Sequence, residues 1–140
     1  MIQVLDLKTK QVRVVPGSEG MREPRWSPDG QHISALSENG DRLLLFDSKT
    51  AKWTEMAQMD AGFQNWSRDA QYVYFVSAGT DPGVFRAAIR DHKLEKVVSL
   101  KGFQSGADGP WFSLTHNDEP LLLRELGGGR EIYAFSWEAP

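Results

Sequence analysis

The chain has 140 residues, of which 40% are hydrophobic and 25% are charged, and it contains no cysteine. These values are those of one ordinary globular domain, and the lack of cysteine excludes disulfides and thiol chemistry while leaving the cellular compartment open. A net charge of −3 with scattered basic residues argues against nucleic-acid binding by this segment. The longest apolar runs have four or five residues, too few for a membrane span or an export signal.

Short strands separated by polar turns are predicted along the whole chain. Strands at 2–7 and 11–15 form an opening hairpin. The other strands are expected at 23–27, 32–37, 42–47, 52–57, 64–67, 72–77, 84–89, 95–100, 111–115, 121–125 and 131–137. Asp29-Gly30 and Asn39-Gly40 favour positive φ and predict two-residue hairpin turns. No helix longer than one turn is expected.

One sequence pattern recurs three times in this series. In each copy a strand ends in an aromatic or aliphatic residue followed by Ser or Thr, then comes a polar turn, and then an apolar strand. The three copies are at 24–36, 64–76 and 112–124. Equivalent positions in the three copies are Trp26, Trp66 and Leu114. A second set of turn positions recurs with nearly the same spacing: Asp6, Asp47, Ala88 and Ser136. Because the two sets agree, the pattern indicates a true repeat.

A repeat of about 40–48 residues with four short strands is typical of a β-propeller blade. We therefore predict an all-β fold of four-stranded antiparallel blades, with a half blade at 1–17, complete blades at 18–58 and 59–101, and a three-stranded last blade at 102–140. About three and a quarter blades are too few to close a propeller, so we expect this chain to be the C-terminal portion of a longer one. The end blades of this portion would be uncovered, which favours self-association. Two copies head to tail would not close cleanly either.

The Trp-Ser-Pro-Asp-Gly segment at 26–30, with Asp-x-x-Thr turns one strand later, resembles the TolB-like, WD-repeat-like β-propeller family. The likeness weakens at 66–70 and again at 114–118. The last repeat resembles the C-terminal blades of bacterial sensory proteins that carry an N-terminal winged-helix domain. The resemblance implies a bacterial binding and signalling platform. Related repeats also form the substrate-gating propellers of prolyl-oligopeptidase-like serine peptidases, which is the alternative.

No residue pattern points to catalysis or to a bound metal or cofactor. A Gly-x-Ser-x-Gly segment is missing, and the histidines are isolated from one another: His32, His92 and His116. Asp29 and Asp69 are expected to bond within their own turns and not to act as a catalytic pair. We therefore predict no enzyme activity, no cofactor and no metal site.

Large aromatic residues of the repeat are expected to fill the space between blades. They are Trp26, Trp66 and Trp111. Replacement of Trp26 or Trp66 by Ala would then cost about 3–5 kcal/mol.

The loops that enter the innermost strands share one rim of a propeller with those that join the second and third strands. Here they are 18–23, 59–64, 102–108, 38–41, 80–82 and 127–130. Candidate binding residues combine charge or aromatic area with a place in these loops: Arg22, Glu23, Phe63, Asp81, Phe103 and Arg130. The expected partner is a protein or a small ligand whose identity the sequence does not specify.

Overall fold

The structure is a computed structural model that describes residues 1–105, 111–126 and 129–134, apart from the side chains of 125–131 and 133. Its described residues form thirteen strands and no helix. The strands are β1 (Gln3–Leu5), β2 (Val12–Val14), β3 (Arg22–Trp26), β4 (His32–Leu36), β5 (Arg42–Asp47), β6 (Lys52–Gln58), β7 (Gly62–Trp66), β8 (Tyr72–Ser77), β9 (Gly83–Ala88), β10 (Leu94–Ser99), β11 (Phe112–Leu114), β12 (Pro120–Leu126) and β13 (Gly129–Ala134).

Consecutive strands pair into four antiparallel sheets: β1–β2, β3–β6, β7–β10 and β11–β13. The predicted all-β fold of antiparallel blades is confirmed, and each predicted strand has its counterpart. Ser136 and the predicted end of the last strand lie outside the described residues. The innermost strands β3, β7 and β11 contact one another in sequence order, as strands around a common axis do.

Aspartates close two of the turns between outer blade strands, the β1–β2 turn and the β5–β6 turn. The carboxylate Oδ1 of Asp6 accepts the N–H groups two and three residues later, at 2.8 and 2.9 Å, and Asp47 repeats this at 2.7 and 3.3 Å. These bonds lower the pKa of both carboxyl groups. The turns end on equivalent residues whose φ lies between 54° and 59°: Lys10, Ala51 and His92. The predicted period is therefore repeated in the backbone conformation.

A second kind of turn joins the inner two strands, and it differs from the prediction. The backbone N–H of Ser27 donates to the carbonyl of His32 at 2.9 Å. Four residues, and not the predicted two, lie between them. Gly30 has positive φ, at 69°, but Asp29 does not. The Asp29 carboxylate instead accepts the Ser27 hydroxyl at 2.5 Å and a backbone N–H at 3.0 Å. An Asp-Gly dipeptide alone therefore did not define the turn type, because the serine extends the loop.

The equivalent turn of the next blade has the same bonds. Asp69 accepts the Ser67 hydroxyl at 2.7 Å and the N–H of Gln71 at 2.9 Å. The predicted structural role of Asp29 and Asp69 is confirmed. Between β4 and β5 the turn is again four residues long, with Gly40 at φ 74°, so the two-residue prediction is wrong there too.

Each pair of neighbouring sheets encloses one apolar cluster. Strand β8 shows how, because its alternate residues face opposite sides: Val73 and Phe75 belong to one cluster, Tyr74 and Val76 to the next. A third cluster lies between the β1–β2 sheet and its neighbour, and includes Ile33. Within the described residues, no cluster joins three sheets. The core is thus divided into layers between blades.

The tryptophans do not all fill the space between blades. Trp66 is partly buried; its indole N–H donates to the carbonyl of Arg25 in the preceding blade at 3.0 Å, and its ring stacks on His32 at 6.3 Å. Trp26 and Trp111, however, are 49% and 48% exposed, so the prediction is wrong for these two. Trp26 is equivalent to Trp66 in the repeat, and the sheet that precedes its own has only two strands, β1 and β2. In the repeat register Trp111 corresponds to Phe63, another exposed aromatic, and not to Trp66.

Candidate functional site: a cleft at the inner rim

A cleft of about 250 Å³ opens where the inner strands of the two complete blades meet. It combines a guanidinium, two carboxylates and an exposed phenyl ring with small apolar residues. Its lining consists of Arg22, Glu23, Asp60, Ala61, Gly62, Phe63, Val76 and Ala78. Three of the predicted rim residues are therefore brought together in one place.

Glu23 and Phe63 occupy the same position in successive repeats and share an unusual backbone. Both have a backbone φ of 53°, which residues other than Gly rarely adopt. Each lies where the pairing register of its inner strand shifts, at a β-bulge. Bulges re-aim side chains, and here they leave Phe63 42% exposed. Non-glycine residues held in this region cost roughly 1–3 kcal/mol, and such strain clusters at functional sites.

The guanidinium of Arg22 is held over the β4–β5 turn. Its Nε donates to the carbonyl of Ser37 at 3.3 Å, and its Nη1 pairs with Glu23 at 2.9 Å. Gly40 lies directly beneath, and a Cβ there would collide with the guanidinium. The Arg22 and Glu23 side chains remain 47% and 41% exposed. Both groups can therefore exchange their mutual ion pair for contacts to a ligand.

Three hydrogen bonds fix the walls of the cleft. The N–H of Ala61 donates to the carbonyl of Gly40 at 2.8 Å, and that of Ala78 donates to Asp60 at 2.9 Å. The Gln64 amide donates to the carbonyl of Glu23 at 2.6 Å. Because these bonds link adjacent blades or loops, the cleft is already formed in the free chain.

The other predicted rim residues lie elsewhere. Asp81 is 75% exposed and pairs with Lys96. Phe103 is partly buried against the cluster between the last two sheets, so its replacement will lower stability, contrary to the expectation for a loop residue. The side chain of Arg130 lies outside the described residues, as does the 127–128 part of its loop.

Sequence reasoning missed one residue that lines this cleft, Asp60, and one that supports its wall, Gln64. Asp60 follows a strand with no motif around it, and Gln64 is 2% exposed although amides are usually found at the surface. The equivalent of Gln64 in the preceding blade is Pro24, so the repeat itself gave no signal. The Gln64 Oε1 atom is buried with no hydrogen-bond partner among the described residues.

A second group of charges lies between the last two sheets and is fully paired. Arg86 donates from Nε and Nη2 to Glu95 at 2.8 and 2.7 Å, and its guanidinium lies over the Tyr72 ring at 4.3 Å. Burial raises the pKa of Tyr74, which accepts a bond from Arg86 at 3.4 Å. Such mutual satisfaction is typical of a structural ion pair.

The described part of the chain has neither a cluster of metal ligands nor a helix that could span a membrane. No three His, Cys, Asp or Glu side chains converge as metal ligands would. None of its segments is a helix with the length and apolar character needed to cross a lipid bilayer.

Known structures with the same arrangement of strands show what the architecture is. TolB from Acinetobacter baumannii superposes with a TM-score of 0.72 at 18% identity over 94% of this chain and 34% of its own. The chain has a TolB-like propeller fold. An oligogalacturonate lyase in complex with manganese gives 0.70 at 15% identity, over 97% of this chain and 41% of its own. The β-propeller domain of the Trilobed protease from Pyrococcus furiosus is described as having an open velcro topology. It superposes with a TM-score of 0.68 at 17% sequence identity, over 98% of this chain and 46% of its own.

This likeness establishes the fold alone, because the identities are low. The chain spans between a third and a half of the length of these three structures. No protein-family model matches it, and no curated protein is significantly similar in sequence.

Proposed function

We propose that this chain is a non-enzymatic binding platform and that the cleft at the inner rim holds its partner. The observation that carries the proposal is the convergence of Arg22, Glu23 and Phe63 in one preformed cleft of about 250 Å³. Arg and exposed aromatics dominate the energetics of most interfaces. The volume fits one inserted side chain or a small ligand of that size.

The same proposal places the chain in a larger bacterial protein, as its C-terminal sensory or interaction part. Its support is the resemblance of the last repeat to winged-helix sensory propellers. An upstream winged-helix domain in the complete reading frame is the expected finding.

A second candidate is the substrate-gating propeller of a prolyl-oligopeptidase-like serine peptidase. The propeller of the Trilobed protease, over which the chain superposes along 98% of its length, favours this candidate. It requires an α/β-hydrolase domain downstream in the same reading frame. The two candidates are therefore distinguished by the complete reading frame.

The cleft is tested by capture of partners from the source cell with the chain as bait. We expect the Arg22→Ala/Phe63→Ala variant to lose the partner that the parent retains. Arg90→Ala/Leu94→Ala is the matched control, because Arg90 is also exposed and Leu94 is 40% exposed on the outer strand β10. Equal recovery by the parent and the cleft variant, both shown to be folded by circular dichroism, would reject the cleft as the binding surface.

A further inference from the structure

An indole ring lies between the two complete blades, and the next interface of the repeat lacks it. Trp66 is the last residue of the inner strand β7. Its N–H donates to the carbonyl of Arg25 on β3 at 3.0 Å, and its ring stacks on His32. In the following blade the last residue of the inner strand β11 is Leu114. A leucine side chain has neither an aromatic ring nor a hydrogen-bond donor, so it cannot make these contacts.

A pocket of about 320 Å³ opens between β7 and β11 at this position. Two of its lining residues are the equivalents of the pair that meets in the interface before it. Leu114 stands for Trp66, and Asn65 stands for Arg25, since each of the latter two is the last but one residue of its strand. A volume just above 300 Å³ is at the lower end of the range of small-molecule sites.

Two hydrogen bonds join the walls of the pocket. The backbone N–H of Arg68, in the turn after β7, donates to Oδ1 of Asp118, in the turn after β11, at 2.9 Å. The Asn65 amide donates to the carbonyl of Phe112 on β11 at 3.4 Å. Leu114 packs against the apolar cluster between the last two sheets, which fixes the floor. The pocket is therefore formed by the chain itself before any ligand binds.

We propose that this pocket binds an indole-type ring, which is a planar bicyclic aromatic group with one N–H donor. The ring packs on Leu114, and its N–H donates to the backbone carbonyl of Asn65. The preceding interface shows this arrangement with the chain's own indole, in the bond from Trp66 to Arg25. The exposed Arg68 also lines the pocket, and guanidinium groups pack favourably on aromatic faces. The pocket lies at the opposite end of β7 from the rim cleft, so the proposed function does not depend on it.

Titration of the isotope-labelled chain with indole, followed by NMR, tests the proposal. We expect saturable shifts of the amide signals of residues 113–118 and nuclear Overhauser effects between the indole protons and the Leu114 methyl groups. Benzofuran has the same shape but no N–H, so it should bind roughly fivefold more weakly for the loss of one hydrogen bond. N-Acetyltryptophanamide distinguishes the source of the ring. Binding as tight as that of indole assigns the site to a tryptophan of a partner protein, and weaker binding assigns it to a free small molecule.

Leu114→Trp restores the residue that the repeat has in the preceding interface. We expect this variant to lose indole binding, because its own ring fills the pocket, and to gain about 4 °C in Tm. Leu94→Trp is the matched control, because Leu94 is 40% exposed on the outer strand β10 and lies outside the pocket. It should bind indole as the parent does and keep the parent's Tm.

Four results would overturn the proposal. They are no saturable binding of indole, unchanged affinity for indole in a folded Leu114→Trp variant, equal affinities for indole and benzofuran, and Overhauser effects to other parts of the chain with none to Leu114. The last of these is measured on the parent chain, so it decides the matter even where Leu114→Trp does not fold.

Discussion

Replacing Trp66 and Trp26 by Ala one at a time should distinguish a tryptophan that packs against the preceding blade from one that is half exposed. Trp66 is partly buried and donates to Arg25; Trp26 is half exposed. A tryptophan buries about 150–250 Å² when enclosed, and apolar burial contributes about 25 cal/mol per Å². Trp66 is only partly buried and Ala keeps part of the buried area, so a loss of about 100 Å² gives about 2.5 kcal/mol. With about 1 kcal/mol for the lost hydrogen bond, Trp66→Ala should lower the free energy of unfolding by about 3–4 kcal/mol. Trp26→Ala should lower it by about 1–2 kcal/mol.

The difference of about 2 kcal/mol is more reliable than either value, because the unfolded-state reference cancels between the two variants. Urea unfolding followed by far-ultraviolet circular dichroism measures it without using the tryptophans as probes. The measurement is repeated at several protein concentrations, because association would make the midpoint concentration-dependent. Equal losses for the two variants, or a larger loss for Trp26→Ala, would refute the conclusion that Trp66 and not Trp26 stabilises a contact between blades.

Three further predictions concern the strained rim, the partly buried Arg86–Glu95 ion pair and the Asp29 carboxylate. Phe63→Gly should be about 1 kcal/mol more stable than Phe63→Ala by urea unfolding, because Gly adopts a φ of 53° without strain and Ala adopts it only with strain. Equal stabilities of the two variants would contradict backbone strain at this position. Glu95→Gln should lower the free energy of unfolding by about 1–2 kcal/mol, because it weakens the bonds from Arg86 on β9. Glu55→Gln is the control and should lower it by less than about 0.5 kcal/mol, because the ion pair of Glu55 with Arg42 is exposed and long, at 4.0 Å. The bonds to the Ser27 hydroxyl and to a backbone N–H lower the pKa of Asp29 below 3.8, so its contribution to stability is complete above that pH and is lost as pH falls further; Asp29→Asn should show a shallower loss in acid unfolding.

The strand order and the turn aspartates could be predicted from the sequence because both are local. Asp6 and Asp29 bond to groups within three residues, and the alternation of β8 is visible without any tertiary information. The exposure of Trp26 could not be predicted from the motif, because it depends on which strands precede its blade. The positive φ of Phe63 could not be predicted either, because the bulge arises from pairing with the neighbouring strand β8 and not from a glycine.

The candidate site was predicted less completely than the fold. Loop placement put Arg22, Glu23 and Phe63 on one rim because the repeat register brings equivalent loops together, and the structure shows that these three line one cleft. It gave no information on packing, so it did not reveal that Phe103 packs against the core. Gln64 was overlooked because its bond is to a backbone carbonyl in the preceding blade, which no side-chain motif records.

The division of the core into layers has a consequence for how such a chain can change its length. Among the described residues each apolar layer is shared by two adjacent sheets only, so a whole repeat could be duplicated or removed without creating a new kind of contact. A deletion of one whole repeat in register would bring equivalent surfaces together, whereas a deletion of half a repeat would join an inner strand to an outer one. Gene duplication in whole-repeat steps is therefore the route of divergence that this architecture tolerates best.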